Sequence, residues 1–200
     1  ETRYYEAYNR DNVHLVDLNE TPIERITKNG IKTSDGELEF DVIIYATGFD
    51  AITGAFDRID ITGQGGKKLR DKWRDGPITY LGVQVAGFPN MITLAGPQSG
   101  TVSTNFPRGI EAVVDWTTGF LEFMRTEGYQ RFEATDEAEQ EWTEHVKSMY
   151  DGSMISGTKS WFTGYNSNVE GHDKLRYMVY FGGSPRYREF LTELAGNKYD

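Results

Sequence analysis

The 200-residue sequence contains no cysteine, so no disulfide stabilises it, and this absence is typical of proteins from a reducing compartment. It also lacks any apolar run long enough to cross a bilayer. The N-terminal segment ETRYYEAYNRDN does not have the basic-then-apolar pattern of a signal peptide. Together these absences predict a soluble, cytoplasmic protein with no membrane partner.

Basic residues are scarce as well. There are 21 Lys and Arg against 31 Asp and Glu, giving a formal net charge of -10, and no basic stripe interrupts the acidic surface. Such a chain repels a phosphate backbone, which excludes nucleic acid as a partner. Aromatic residues make up 14% of the chain and there are 22 glycines, which predicts a packed globular protein with many tight turns.

Several common catalytic signatures are missing too. No Gly-x-Gly-x-x-Gly fingerprint occurs, and neither Ser99 nor Ser103 lies in a Gly-x-Ser-x-Gly turn. The histidines have none of the spacing of a metal site, so we predict no metal and expect each of them at the surface or at a cap: His14, His145 and His172. The acidic run from Glu133 to Glu144 is interpreted as the start and solvated face of a helix.

The first quarter of the chain reads as a β-meander. Asn29-Gly30 and Asp35-Gly36 are typical hairpin dipeptides because each supplies a residue that tolerates positive φ. The strands predicted around them are Val13–Val16, Ile23–Thr27, Ile31–Thr33 and Phe40–Ala46. The last is almost wholly apolar, as expected of a strand covered on both faces in an α/β sheet.

Further along, apolar residues recur at helical spacing in three places. The helices predicted are Asn105–Glu127, Asp136–Tyr150 with a capping box at Thr135, and one from Ser184 to about Leu194. Weaker signals predict a short amphipathic piece and additional strands: Leu69–Trp73 for the former, and Ile59–Thr62, Asn90–Ala95 and Leu175–Phe181 for the latter. The Gly-rich stretch 151–173 is predicted to be a long loop.

The strongest functional signal is the string Asp41-Val42-Ile43-Ile44-Tyr45-Ala46-Thr47-Gly48-Phe49-Asp50. A buried strand that stops at a small residue, a hydroxyl and a glycine lets the backbone approach a ligand at the carboxyl end of a sheet. Any three of these residues alone would indicate only a core strand ending in a glycine turn. The whole string resembles the connection by which flavoprotein monooxygenases pass from their NADPH domain to their FAD domain.

A second signal is Ala95-Gly96-Pro97-Gln98-Ser99-Gly100-Thr101-Val102-Ser103-Thr104-Asn105-Phe106. Free backbone N–H groups and the positive end of a helix converge here, in a place suited to negative charge on a ligand. From these residues alone a ligand site and a plain capped helix are about equally favoured, because Thr104 or Asn105 would serve as N-cap in either case.

The third signal is Ser160-Trp161-Phe162-Thr163-Gly164-Tyr165-Asn166-Ser167-Asn168-Val169, within the Gly-rich loop. Trp161 stands among flexible residues, and an indole both covers apolar surface and donates a hydrogen bond, which suits a lid.

Over nearly all 200 residues, including the closing Tyr180-Phe181-Gly182-Gly183, these segments resemble the C-terminal part of Baeyer-Villiger monooxygenases. The resemblance implies an α/β fragment of a flavoprotein with two dinucleotide-binding domains. Residues 1–48 would complete the NADPH-binding domain and 49–200 the FAD-binding domain, with added helices and a mobile lid at about 151–173.

The resemblance also implies residue roles. FAD and NADP would be bound by Thr47, Gly48, Asp50, Gly96, Gln98, Asn105, Phe106 and Trp161, and the ketone pocket would be lined by Val102, Ser103 and Phe106. After Asn168 the loops of the family continue Pro-Gly-Lys, whereas this chain has Val169-Glu170-Gly171-His172. The glycine fingerprints and the family's catalytic arginine are absent, so no catalytic residue is assigned in this chain. The arginine is expected just before Glu1, in the remainder of the same polypeptide.

The activity implied is the NADPH-dependent insertion of one oxygen atom of O2 next to a ketone carbonyl, giving an ester or lactone. The fragment alone is expected to be inactive, because the cofactors carry the oxygen chemistry. Two alternatives stay open at this point. An N- or S-oxygenating flavin monooxygenase would share the strand ending in Thr47-Gly48, and a stand-alone domain without catalytic function would share all three segments.

Overall fold

In a computed structural model that describes residues 2–101 and 104–199, the chain divides into two compact units, residues 1–48 and residues 49–200. The division follows Gly48, the position at which the sequence analysis separates the two predicted domains. That the units are parts of an NADPH-binding and an FAD-binding domain stays a prediction.

The first unit contains one helical turn, α1 (Tyr4–Ala7), and an antiparallel sheet of three strands in the order β1 (Ile23–Ile26), β2 (Gly30–Thr33) and β3 (Glu37–Glu39). The second and third predicted strands are thereby confirmed. Gly30 is required because a Cβ there would overlap the carbonyl oxygen of Leu38 on the paired strand. The strand predicted at 13–16 is wrong, since those residues form no strand.

The apolar run 40–46, predicted as a buried strand, is extended but unpaired in the first unit. Val42 is 74% exposed and Ile44 is 84% exposed. A strand buried on both faces needs neighbouring strands to satisfy its N–H and C=O groups. Among the described residues the only sheet is β1–β2–β3, so the apolar pattern is present without the partners that would complete it.

The other strands predicted in the second unit are wrong for a related reason. Residues 175–181 are partly or fully buried, and residues 90–95 range from exposed to buried positions, with Leu94 49% exposed. Single hydrogen bonds hold both segments instead of a ladder. Thr93 N–H donates to the Val83 carbonyl, 2.9 Å, and Gln98 N–H donates to the Met178 carbonyl, 2.8 Å. Residues 59–62 supply only one isolated bridge, between Thr62 and Lys68. An apolar run predicts burial more securely than it predicts pairing.

The helices are where the sequence pattern places them. Two short helices, α2 (Gly54–Asp57) and α3 (Leu69–Lys72), precede three long ones, α4 (Phe106–Glu127), α5 (Asp136–Ser148) and α6 (Ser184–Gly196). All three predicted long helices are confirmed to within two residues, and α3 confirms the amphipathic piece. None of the helices in the described part of the chain is both long and apolar enough to cross a membrane.

The main core of the second unit lies between α4, α5, α6 and the extended residues 177–181. One face of α4 is buried at helical spacing by Val113, Trp116, Phe120 and Met124, whereas Val114 and Leu121 are exposed. A smaller cluster around Trp73 packs beside α3. The core therefore fixes where α4 begins, and that beginning carries one of the predicted site segments.

One buried acidic residue connects α5 to α3 and to the backbone at Ala86. Glu139 on α5 is 3% exposed and its Oε2 lies 2.7 Å from Lys72 Nζ at the end of α3. Its Oε1 accepts from the Ala86 N–H, 3.1 Å. The prediction that the whole acidic run faces solvent is therefore wrong at Glu139. The predicted capping box, in which Thr135 and Glu139 would both cap α5, is wrong for Glu139. Thr135 alone caps the helix, by accepting from the Ala138 N–H.

Replacing Gly82 by alanine should lower the free energy of unfolding by about 2–3 kcal/mol, because strain at positive φ adds to a backbone clash. Gly82 has φ 68°, and an added Cβ would lie 2.5 Å from the amide nitrogen of Ser99. Gly128→Ala is the matched control, since Gly128 has φ 75° with nothing within 4 Å of the added Cβ. Urea denaturation of both variants checks this, and equal losses would contradict the role given to the Gly82–Ser99 approach.

Candidate functional site

The end of the first predicted site segment is open to solvent. Thr47 and Gly48 are exposed, Gly48 has φ 79°, and no atom lies within 4 Å of the position that a Cβ would occupy there. No backbone hydrogen bond is donated by residues 41–50 in the described chain. These residues have the free main-chain donors that a ligand-contacting turn needs. Their contact with a cofactor stays a prediction.

Asp50, two residues further on, has a different environment. Its carboxylate is only 20% exposed, and Oδ1 accepts a hydrogen bond from Asn166 Nδ2 at 3.3 Å. His172 Nδ1 lies 3.4 Å from the same oxygen, an ion-pair distance without the geometry of a hydrogen bond. The structure thus brings a residue predicted to bind cofactor together with two residues of the Gly-rich loop.

Gln98 has a structural role within this chain, and its predicted contact with a cofactor stays a prediction. It is 0% exposed and has φ 64°. Its amide nitrogen donates to the Pro77 carbonyl at 2.8 Å, and its amide oxygen accepts from Thr79 Oγ1 at 2.9 Å and from Thr143 Oγ1 at 3.2 Å. Its own carbonyl accepts from the Trp142 indole, 3.3 Å. Both polar groups of the side chain are thus used within the chain.

Gly96 is also buried, and a Cβ there would overlap the Thr93 hydroxyl and the Gly82 carbonyl. Internal packing therefore accounts for glycine at this position. Its predicted cofactor contact is not needed to explain the residue and stays a prediction.

The beginning of α4 matches the second site segment. Asn105 is the N-cap and its side chain accepts from the Arg108 N–H, 3.5 Å, with Pro107 in the first turn. Phe106 is 43% exposed, so an apolar ring stands at the positive end of a 22-residue helix. Gly109 lets residue 101 pass closely over this end, because a Cβ there would lie 2.9 Å from Thr101 Cα. The predicted pocket residues Val102 and Ser103 lie outside the described residues.

The side chain of Trp161 is exposed, and it lies on a turn that hydrogen bonds hold in place. It is 44% exposed and stacks on Phe162, with ring centroids 4.0 Å apart. The turn Trp161–Thr163 is closed by a capping box in which the side chains of Ser160 and Thr163 bond to each other's backbone N–H groups. Its last carbonyl accepts from the Arg176 N–H, 2.9 Å. An exposed indole on a turn fixed from behind is suited to covering a flat ligand.

Beneath this turn lies a group of charged residues that the sequence analysis did not assign to the site. Arg176 is 2% exposed, and one nitrogen of its guanidinium group donates a hydrogen bond to the Trp73 carbonyl at 3.2 Å. Burial lowers the pKa of the Arg176 guanidinium. Burial raises the pKa of the Asp57 carboxyl, against the opposing effects of Arg176 and His172. The surface or cap position expected of His172 is wrong, since it is 6% exposed.

No sequence signal distinguishes Arg176 from the many exposed arginines of such a chain, because a single charged residue within an apolar run has no periodicity. Two grooves of about 540 and 530 Å³ flank α6, one against α4 and one against α5. Neither is lined by a predicted site residue. Of the candidates, Thr47, Gly48, Phe106 and Trp161 are exposed, on turns or at the start of a helix.

No protein-family model matches the chain. In sequence it is 43% identical over 202 residues to the 2-oxo-Δ3-4,5,5-trimethylcyclopentenylacetyl-CoA monooxygenase of Pseudomonas putida, covering 100% of this chain and 37% of that protein. A Baeyer-Villiger monooxygenase of Pseudooceanicola batsensis is 38% identical, with 98% and 35% covered. The phenazine N-monooxygenase PhzNO1 of Lysobacter antibioticus is 40% identical, with 98% and 36% covered.

In structure the chain matches OTEMO in complex with FAD and NADP, with a TM-score of 0.89 and 42% identity over 100% of this chain and 36% of that one. It matches a closed crystal structure of cyclohexanone monooxygenase with a TM-score of 0.88 and 38% identity, over 100% and 37%. The chain thus spans about 37% of the length of the relatives it matches. These matches confirm the fold class, a fragment of a flavoprotein fold with two domains.

Proposed function

Because this chain belongs by sequence and fold to the Baeyer-Villiger monooxygenases, of which it spans about a third, we propose that the full-length protein is an FAD- and NADPH-dependent monooxygenase. Its reaction would place one oxygen atom of O2 next to a ketone carbonyl and give an ester or lactone. The observation that carries the proposal is the match of all 200 residues, at 42% identity, to a structure described with FAD and NADP.

The described residues fit the two cofactors. The ring of Phe106 stands exposed at the positive end of α4, where a flat aromatic ligand gains both apolar contact and a favourable dipole. Gly109 keeps the backbone at Thr101 close to this end. When bound, the flavin and the nicotinamide supply the electron transfer and the activation of O2, which no side chain of this chain can provide.

The chain's own residues would bind and orient. Asn105 holds the first turn of α4 in place, so that Phe106 lies against the flavin. The free main-chain donors of Thr47 and Gly48 would approach a dinucleotide, and the exposed indole of Trp161 would cover the nicotinamide nucleotide and exclude water. Val102 and Ser103 are proposed to line the ketone pocket beside Phe106, on the resemblance alone.

The remainder of the same polypeptide is the proposed partner of the run 40–49. Its apolar side chains are exposed, with Phe49 at 93%, and the backbone donors of residues 41–49 bond to no carbonyl in the described chain. Neighbouring strands from the rest of the protein would satisfy these groups and bury the side chains. The catalytic arginine is likewise proposed to lie outside this chain. A cytoplasmic location is proposed from the lack of cysteine.

The test is a coenzyme assay of the full-length protein with a cyclic ketone, an aromatic amine and a sulfide in separate reactions. We expect a yellow, FAD-containing protein that oxidises NADPH faster with the ketone than with either other substrate. The amine reaction is included because a relative at 40% identity is a phenazine N-monooxygenase. Oxidation of only the amine would favour N-oxygenation, and a colourless protein would contradict both activities.

A further inference from the structure

Two side chains of the Gly-rich loop that contains Trp161 contact the carboxylate of Asp50. Asn166 Nδ2 donates to Oδ1 at 3.3 Å, and His172 Nδ1 lies 3.4 Å from the same oxygen. The carboxylate is folded back towards the start of α2, where the missing side chain of Gly54 makes room for it, since a Cβ there would lie 2.6 Å from Oδ2. Oδ2 of Asp50 thus lies in the space beside Gly54, and Oδ1 contacts the loop.

The two attached residues are the two ends of a closed turn. Asn166 N–H donates to the His172 carbonyl at 2.6 Å, Val169 N–H donates to the Asn166 carbonyl at 3.1 Å, and His172 N–H donates to the Val169 carbonyl at 3.1 Å. The Asn166 side chain also accepts from the Asn168 N–H, 3.1 Å. A contact at each end of this turn therefore holds all seven residues against one carboxylate.

The closed turn continues directly from the one that presents Trp161. Tyr165 N–H donates to the Ser160 carbonyl, 3.1 Å, so the residue before the closed turn is bonded to the residue before Trp161. Arg176 N–H holds the Thr163 carbonyl from below. The loop that bears Trp161 is therefore held in two places, by the backbone of Arg176 and by the side chain of Asp50.

The charges around Asp50 act in opposite directions, since Arg176 attracts its carboxylate and Asp57 repels it. Asp57 from α2 and Arg176 from the segment after the loop lie close enough to act on each other, and both are partly or fully buried. His172 is 6% exposed and is charged only when protonated, whereas the amide of Asn166 donates at any pH. Loss of the carboxylate is costly because the half-buried amide of Asn166 loses its acceptor and the buried ring of His172 loses its neighbouring charge.

We propose that Asp50 is a positioning residue that does not contact the dinucleotide, but holds the loop 160–172 so that Trp161 is presented to NADP. The inference deepens the proposed function and rests on it for the coenzyme. The attachment of the loop to Asp50 stands on the contacts of this chain alone. Asp50 therefore governs coenzyme affinity rather than the chemical step.

The test uses Asp50→Ala and Asp50→Asn in the full-length protein, with Asp173→Asn as the matched control, since Asp173 is an exposed carboxylate of the same loop. Two quantities are measured: backbone hydrogen exchange of residues 160–172 without coenzyme, and the dissociation constant of NADP+. For Asp50→Ala we expect both to rise about tenfold, with kcat at saturating NADPH changed less than about twofold. Asp50→Asn, which still accepts from Asn166, should show a smaller rise, and Asp173→Asn none.

If Asp50→Ala does not fold, the double variant Asn166→Ala with His172→Ala removes the same contacts from the loop side and should give the same two changes. Unchanged exchange in a folded variant would overturn the attachment. Faster exchange with unchanged NADP+ affinity would overturn the positioning role. A wild-type protein that binds no NADP+ would instead refute the proposed function, and the exchange result would still decide whether Asp50 holds the loop.

Discussion

Replacing Glu139 by alanine is expected to lower the free energy of unfolding by about 3–5 kcal/mol, because it leaves a partly buried ammonium without its counter-ion. Lys72 Nζ is 2.7 Å from the lost carboxylate oxygen, and the lysine side chain is only 18% exposed. The Ala86 N–H loses its acceptor at the same time. Glu137→Ala, at an exposed position in the first turn of the same helix, should cost less than about 1 kcal/mol.

Because Glu139 is buried beside Lys72, the free energy of unfolding should also depend on pH, and burial determines the direction. Burial raises the pKa of the Glu139 carboxyl above its ordinary value of 4.5, against the opposing effects of Lys72 and the Ala86 N–H. The native state therefore holds this proton more tightly than the unfolded chain does. Its contribution to stability is present below pH 4.5 and is lost as the pH rises through the folded value. Urea denaturation from pH 4 to 7 should show this loss in wild type but not in Glu139→Gln.

The second large effect is expected at Gln98, where alanine should cost about 3–4 kcal/mol of unfolding free energy. The substitution opens a cavity at a fully buried position and removes the partner of the Pro77 carbonyl and of the Thr143 hydroxyl. The Thr79 hydroxyl loses one of its two acceptors and keeps the Pro97 carbonyl. Gln140→Ala on the exposed face of α5 is the control, with an expected cost below about 0.5 kcal/mol. Equal costs of the two substitutions in urea denaturation would show that the buried hydrogen bonds of Gln98 do not stabilise the fold.

The helices could be predicted from the sequence because their signals are local. The spacing of Val113, Phe120 and Met124 defines the face of α4, and Asn105 and Thr135 are caps that need no distant partner. The apolar run 90–95 was mistaken for a paired strand because pairing depends on other segments, and the run 40–46 finds no partner strand among the described residues for the same reason. Where those segments are not in the described chain, as for Ile44, the run stays extended and exposed.

The site was less predictable. Trp161 and Phe106 are exposed, as ligand contacts require. Gln98 lies in the same kind of small-residue loop, but it is buried and its side chain forms hydrogen bonds within the protein. Composition cannot separate the two cases, because both need polar and small residues near a helix start. The contact of Asp50 with His172 joins positions 122 residues apart, a separation at which a single sequence gives no signal of proximity.

Isotope labelling shows whether the full-length protein transfers oxygen from O2 to a ketone. The protein is incubated with a cyclic ketone, NADPH and ¹⁸O2, and the product is analysed by mass spectrometry. We predict a lactone that carries one ¹⁸O atom at the ring oxygen. A lactone labelled only from H2¹⁸O, or NADPH consumption that yields hydrogen peroxide and no lactone, would contradict the proposed oxygen transfer.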